Sequence, residues 1–108
     1  MHERDHVIGV RRTGLLRYIV VMTAHAKLLN RVLRGTSDKH IEFDSLCDLL
    51  RRFGFVERVH GDHHIFTRDG VSEILNLQPK GHHAKAYQVK QVRNVIIQYK
   101  LAGETDAK

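Results

Sequence analysis

Two adjacent histidines, His63 and His64, are the residues of this chain whose type and position best suit chemistry. They follow the turn-forming pair Gly61–Asp62, and the apolar and β-branched residues on both sides predict a tight turn between two short strands. Successive side chains of a strand point to opposite faces, so the two imidazoles cannot share an environment. If Phe66 packs inward, His64 shares its face and His63 is exposed. An exposed imidazole beside a carboxylate can transfer protons near neutral pH.

The composition indicates one small basic domain. The chain has 108 residues, a net charge of +6 and a hydrophobic fraction of 42%, which favour a single folded domain with an anionic partner such as nucleic acid. No run reaches the roughly 18 apolar residues that a membrane-spanning helix needs. The single cysteine, Cys47, excludes an internal disulfide and is expected to be a small buried hydrophobe. We therefore expect a cytoplasmic protein that does not contact membranes.

Two amphipathic helices are predicted before the histidines and one after them. The first covers residues 23–34, with Thr23 as its cap and Gly35 just past its end. The second covers residues 44–53, because its apolar residues recur at i, i+3, i+4 and i+7; these are Leu46, Leu49, Leu50 and Phe53. The last helix covers residues 86–101, and residues 103–108 are expected to form a frayed tail.

The strand signals lie between the second and the last helix. Residues 55–60 and 63–67 flank the first turn, and a second turn at 68–70 leads into residues 71–77. Strands this close in sequence usually form an antiparallel meander. We therefore predict an α+β fold in which a three-stranded antiparallel sheet carries helices on one face and leaves the other face open. This single domain is expected to cover residues 23–102, with a basic loop at 80–83.

Three segments of the sequence together resemble the HicA family of toxins. They are the block Leu49–Phe55, the block Gly61–Phe66 and the closing basic helix, so that the resemblance covers roughly residues 41–101. The family pattern is a helix that ends in a Gly-aromatic pair, then Gly-Ser-His-His and an aromatic residue on the second strand. Asp62 stands where the family usually has serine.

The resemblance implies a fold, an activity and a partner. The fold would be that of a double-stranded-RNA-binding domain, α-β-β-β-α, here with an extra N-terminal helix. The activity would be that of an mRNA-cleaving ribonuclease in a type II toxin–antitoxin system. Its partners would be mRNA and a HicB-type antitoxin that covers the site, and neither a metal nor a small-molecule cofactor would be needed.

The chemistry of RNA cleavage assigns roles to the two histidines. RNA carries its own nucleophile, the 2′-hydroxyl, so cleavage needs a base for that proton and positive charge near the phosphate. A free imidazole has a pKa of about 6.5, and general base catalysis contributes about 10²–10⁴-fold. We predict His63 as the base and His64 as the second catalytic candidate. The alternative for His64 is a structural histidine that is hydrogen-bonded behind the sheet.

The RNA contacts are expected at the first turn and at basic residues near it. Gly61 and Asp62 form the turn, and the carboxylate could either orient the imidazole or repel phosphate. The cationic candidates for contact with phosphate are Arg58, Arg68, Lys80, Lys85, Lys90 and Arg93. Phosphate contacts of this kind give an affinity that falls steeply with salt and carries no sequence information.

Two other interpretations remain open at the level of sequence. Zinc could bind several imidazoles of the chain: His60, His63, His64, His82 and His83. Adjacent histidines on a strand do not readily bind one ion, however, and no cysteine or carboxylate cluster completes such a site, so we predict no metal. The alternative function is a non-catalytic RNA-binding module of the same fold, which the replacement of serine by Asp62 favours.

Residues 1–22 are predicted to be an extension outside the domain. Arg17 interrupts the apolar run at 15–21 and no small-residue cleavage pattern follows, which argues against a signal peptide. We expect Met22 to be the authentic start, so the protein expressed from its own promoter should have the intact mass of residues 22–108. A mass that includes residues 1–21 would contradict this expectation.

Overall fold

The computed structural model describes the backbone of residues 24–106 and the side chains of residues 24–103. The predicted extension at 1–22, the expected start at Met22 and the predicted cap at Thr23 lie outside the described residues, as do the last residues of the predicted tail. Residues 24–34 are helical (α1), and a short 3₁₀ helix, Asp38–His40, leads to helix α2, Phe43–Arg52. None of the helices within the described range is long and apolar enough to cross a membrane.

The strands form the predicted three-stranded antiparallel sheet. Strands β1 (Val56–His60), β2 (His63–Arg68) and β3 (Val71–Leu77) are neighbours in chain order. The turns between them contain Gly61 and Gly70, whose φ angles of 62° and 87° favour glycine. The prediction of an α+β fold with a three-stranded antiparallel sheet is therefore confirmed.

One face of the sheet packs against the helices because its side chains are apolar. Phe66 is fully buried, and Leu75, which pairs with it across the strands, and Leu77 are also buried. The helices contribute apolar residues of α2 and of α3 (Ala86–Gln98) to the same core: Leu46, Leu49, Leu50, Val89, Val92 and Ile96. The register of β2 is thus determined by the burial of Phe66 on the helical side.

An ion pair connects α3 with the segment that follows α1. The guanidinium of Arg93 donates from both terminal nitrogens to the carboxylate of Asp38, at 3.0 and 3.2 Å, and also to the backbone carbonyl of Val32 at 3.1 Å. A Cβ atom at Gly35 would lie 3.0 Å from this guanidinium, and the φ of Gly35 is 72°. Only glycine therefore fits easily where the chain passes Arg93.

Two elements differ from the prediction. The predicted basic loop contains a small antiparallel hairpin, β4 (Pro79–Lys80) with β5 (His83–Ala84). It forms because it is hydrogen-bonded to the segment before α2, where the Ala84 amide donates to the Ile41 carbonyl at 2.9 Å. The last helix ends at Gln98 rather than at residue 101.

A short helix, α4 (Leu101–Asp106), follows where a frayed tail was predicted. The break between α3 and α4 is at Lys100, whose φ is 55°. Leu101 is almost fully buried in the core, and this contact holds the start of α4 against the domain. The backbone is thus helical up to Asp106, within the segment predicted to be a tail.

Replacement of Phe66 by alanine should destabilise the domain strongly. Phe66 is fully buried, and the loss of a buried phenylalanine costs about 3–5 kcal/mol. The matched control is Ile74→Ala, because Ile74 is 67% exposed on the other face and such a change costs less than about 0.5 kcal/mol. Urea denaturation measures both free energies of unfolding, and equal losses would contradict this assignment of the core.

Candidate functional site

His63 lies on the open face of the sheet, as the alternation of β2 predicted. Its side chain is 48% exposed, and its cross-strand partner on β1 is His60. Residues that pair across antiparallel strands share a face, so the same face carries Val56, Arg58, His60, Ile65, Thr67, Ile74 and Asn76. The imidazole of His63 is therefore accessible to a large ligand such as a polynucleotide.

A hydrogen bond to Asn76 sets the tautomer of His63. The Nδ1 atom of His63 lies 3.1 Å from the Oδ1 atom of Asn76. An amide oxygen only accepts, so the imidazole donates from Nδ1, and in the neutral ring Nε2 carries the lone pair. The Nε2 atom lies 3.8 Å from Oδ1 of Asp62, which is too far for a hydrogen bond. Nε2 of the neutral ring is thus the nitrogen that is available to accept a proton.

A chain of hydrogen bonds brings Lys85 to the turn beside His63. The ammonium of Lys85 donates to Oε1 of Gln78 at 2.7 Å, and Nε2 of Gln78 donates to Oδ2 of Asp62 at 2.9 Å. The bond from Gln78 is the main reason why the pKa of Asp62 is lowered, and the charges of His63 and Lys85 add to the effect. Asp62 therefore stays ionised, with one oxygen near His63 and the other bound by Gln78.

The other predicted contact residues divide into those near His63 and those elsewhere. Gly61 is in the same turn, and Arg58 lies on the same face, opposite Ile65. Lys80 is exposed on β4 and Lys90 is exposed on α3. Arg68 is at the other end of β2, about 17 Å along the strand from His63. It lies near Gly54 there, since a Cβ atom added to Gly54 would be 3.8 Å from the Nε atom of Arg68.

Arg93 is not placed at the open face. Its side chain is only 15% exposed and its guanidinium is bound to Asp38, so a phosphate could reach it only if this ion pair opened. The structure therefore gives Arg93 a role in packing α3 against the start of the domain. The sequence did not reveal this role, because Asp38 is 55 residues away along the chain.

His64 has a different environment on the helical side of the sheet. Its Nδ1 atom lies 2.7 Å from Oε2 of Glu57, and Oε1 of Glu57 accepts from Arg51 Nη2 at 2.8 Å. The ring of Phe43 packs edge-on against the imidazole, with 4.8 Å between the ring centroids. The hydrogen bond with His64 is the main cause that lowers the pKa of Glu57, and Arg51 adds to it. This is the hydrogen-bonded histidine behind the sheet that was the alternative for His64.

An open pocket of about 510 Å³ adjoins His64. It is lined by Glu42, Phe43, Asp44, His64, Pro79, Gly81 and His82. The two carboxylates at the start of α2 disfavour a phosphate in this pocket. A polyanion is therefore better accommodated on the open face, at His63, than on the side of His64.

Cys47 is brought to His64 by the fold. Its side chain is 1% exposed, and burial is the main cause that raises the pKa of its thiol to about 12. One donor atom each from Cys47, Glu57 and His64 lies within 4.8 Å of the other two. The sequence analysis expected no cysteine or carboxylate cluster that could complete a metal site, whereas the fold brings both residue types to His64. Among the described residues, His60, His63, His82 and His83 belong to no such three-residue cluster.

Comparisons of the chain with models of protein families, with characterised proteins and with solved structures found no match. The α+β arrangement by itself does not indicate a function, because similar folds carry unrelated activities. A function has to be inferred from the side chains around the two histidines.

The contact of Glu57 with His64 and Arg51 should make stability depend on pH. A carboxylate with a lowered pKa stabilises the fold above its ordinary value of 4.5, and this stabilisation is lost as the pH falls through the lowered value. Glu57→Gln should therefore be less stable than the parent at pH 6, and the difference should shrink below pH 4.5. Urea denaturation at several pH values measures it.

The control is Asp69→Asn, which removes an exposed carboxylate in the turn between β2 and β3. Its difference from the parent should be small at every pH. A Glu57→Gln difference that stays constant between pH 6 and pH 3 would show that the ion pair does not contribute to stability.

Proposed function

We propose that this protein is an endoribonuclease toxin of the HicA type, which cleaves mRNA with His63 as its general base and without a metal. The observation that carries the proposal is the environment of His63. The side chain is 48% exposed on the open sheet face, and Asn76 binds Nδ1 so that Nε2 is the basic nitrogen.

In the proposed reaction, Nε2 of His63 removes the proton from a ribose 2′-hydroxyl. The 2′-oxygen attacks the adjacent phosphorus, the bond from phosphorus to the 5′-oxygen breaks, and this oxygen takes up a proton from solvent. The products are a 2′,3′-cyclic phosphate and a 5′-hydroxyl. Asp62, 3.8 Å from Nε2, stabilises the imidazolium that forms.

The charge that develops on the phosphate requires cations near His63. Lys85 is connected to the turn through Gln78 and Asp62, and Arg58 lies on the open face close to the His60–His63 pair. We assign the stabilisation of the phosphate to these two side chains. Their positive charges also offset the repulsion between phosphate and Asp62.

The arrangement of the elements supports the same proposal. The helix, three strands and helix from α2 to α3 have the order of a double-stranded-RNA-binding domain, with one sheet face covered by helices and one face open. In the proposal, the open face binds mRNA in the cytoplasm, and a HicB-type antitoxin covers this face to block cleavage. The exposed apolar side chains on it, Val56 at 63% and Ile74 at 67%, suit contact with a protein.

The second candidate function is an RNA-binding module that does not cleave. The observation that favours it is Asp62, because its carboxylate faces Nε2 of His63 and could keep a scissile phosphate away. Such a module would bind RNA with an affinity that falls steeply as the salt concentration rises.

Cleavage of RNA by the purified full chain in EDTA tests the proposal. We expect 2′,3′-cyclic phosphate ends, and a loss of about 10²–10⁴-fold in rate for His63→Ala, because general base catalysis contributes that much. His60→Ala is the matched control, since His60 is the cross-strand partner on the same face. It should keep most of the activity, and a loss in His63→Ala purified in the same way excludes a contaminating nuclease as the source.

Three outcomes would contradict the assignment. Activity that disappears in EDTA would contradict a metal-independent reaction. Activity that survives in His63→Ala but is lost in folded His64→Ala would place the base at the Glu57–His64 pair. Salt-sensitive binding without any cleavage would support the RNA-binding module instead.

A further inference from the structure

Three different donor atoms converge where α2 crosses the β1–β2 hairpin. Cys47 comes from α2, Glu57 from β1 and His64 from β2. One ligand atom of each lies within 4.8 Å of the other two. The side chains of Glu57 and His64 are only 17% and 24% exposed, and Cys47 is buried, so these donors are not the scattered acidic groups of a surface.

We propose that Cys47, Glu57 and His64 bind a zinc ion. Zinc is the divalent ion that prefers a mixed set of thiolate, imidazole and carboxylate ligands in a tetrahedral arrangement. A site with three protein ligands keeps the fourth position for water or another ligand. An ion can reach the three donors from solvent, because the side chains of Glu57 and His64 are partly exposed.

The distances are compatible with a site that closes by small side-chain movements. Zinc bonds of about 2.0–2.3 Å place neighbouring tetrahedral ligands about 3.3–3.6 Å apart. The donor atoms, at no more than 4.8 Å from one another, therefore have to approach by at most about 1.5 Å. The pair of His64 Nδ1 and Glu57 Oε2, at 2.7 Å, is a proton-bridged contact that has to open by about 0.6–0.9 Å.

The charges also balance when zinc replaces protons. The bridging proton between His64 and Glu57 and the thiol proton of Cys47 leave when the ion binds, because metal ligands must be deprotonated. The thiolate and the carboxylate then carry two negative charges, which neutralise Zn²⁺. The direct charge of the ion allows a thiolate to form at the buried Cys47.

Arg51 would orient Glu57 as a zinc ligand and would not compete with the zinc ion for this carboxylate. It binds Oε1 of Glu57 at 2.8 Å and leaves Oε2 directed toward His64. Hydrogen bonds of this kind orient ligating carboxylates in metal sites. Because His63 points to the opposite face, the zinc site is independent of the proposed cleavage of RNA and would hold α2 against the β1–β2 hairpin.

Cobalt binding tests the proposal, because tetrahedral Co²⁺ reports a thiolate ligand through a charge-transfer band in the near ultraviolet. The untagged full chain, reduced and freed of metal with EDTA and then of EDTA by dialysis, is titrated with Co²⁺. We expect one ion per chain, the thiolate band, and its loss when Zn²⁺ is added. Zn²⁺ should also raise the thermal melting temperature of the parent.

Cys47→Ser and Glu57→Gln are the test variants. Cys47→Ser should lose the band, and both variants should bind Zn²⁺ at least about tenfold more weakly, since even the partners of metal ligands contribute 10–100-fold. Cys47→Ala serves as a second cysteine variant in case a buried hydroxyl destabilises the fold, with circular dichroism as the measure of folding. His60→Gln is the matched control, because His60 is exposed on the other face of the sheet and does not line the pocket beside His64, and it should keep the band and the affinity.

The proposal is overturned if the parent shows no thiolate band with Co²⁺. It is equally overturned if folded Cys47→Ala binds Zn²⁺ as tightly as the parent and gains the same increase in melting temperature. In that case the zinc would be held by surface histidines alone. Neither result would affect the proposed cleavage of RNA, which is measured in EDTA and depends on His63.

Discussion

The burial of Phe66 is the constraint on which the rest of the structure depends. Its ring is fully inside the core, and strand geometry then directs every second residue of β2 to the helical side. A shift of register by one residue would expose Phe66 and exchange the places of His63 and His64. Because a buried phenylalanine contributes about 3–5 kcal/mol, a large part of the stability of a small domain, the register is strongly specified.

Because His63 and His64 lie on opposite faces of the sheet, their imidazoles have different environments and suit different chemical roles. His63 is in contact with solvent and is held by an amide oxygen of Asn76, so one ring nitrogen is available to a ligand. His64 is held by the carboxylate of Glu57 and lies against Phe43, where a polar side chain must be satisfied by the protein itself. One histidine is therefore suited to a reaction with a large substrate, and the other to structure or to binding of an ion.

The net charge of +6 overstates the basic surface that an anion can use. Arg51 is paired with Glu57, Arg52 with Asp48 and Arg93 with Asp38. The first and last of these pairs connect different elements, so their charges are used in packing. The ammonium of Lys85 is connected to the turn at His63 only through Gln78, and this local arrangement matters more for a phosphate than the total charge does.

The sequence by itself determined the helices and strands around the site and the faces on which His63 and His64 lie. These follow from apolar periodicity and from strand alternation, which depend on residues close together in the chain. Only the tertiary structure decided which side chains surround each histidine: Asn76, 13 residues from His63, Gln78, 16 residues from Asp62, and the cluster of Cys47 and Glu57 with His64. The same is true of the β4–β5 hairpin and of α4, which depend on a hydrogen bond to Ile41 and on the burial of Leu101. The physical reason is that such contacts require strands in register and helices packed on the sheet, and no local propensity encodes where distant segments meet.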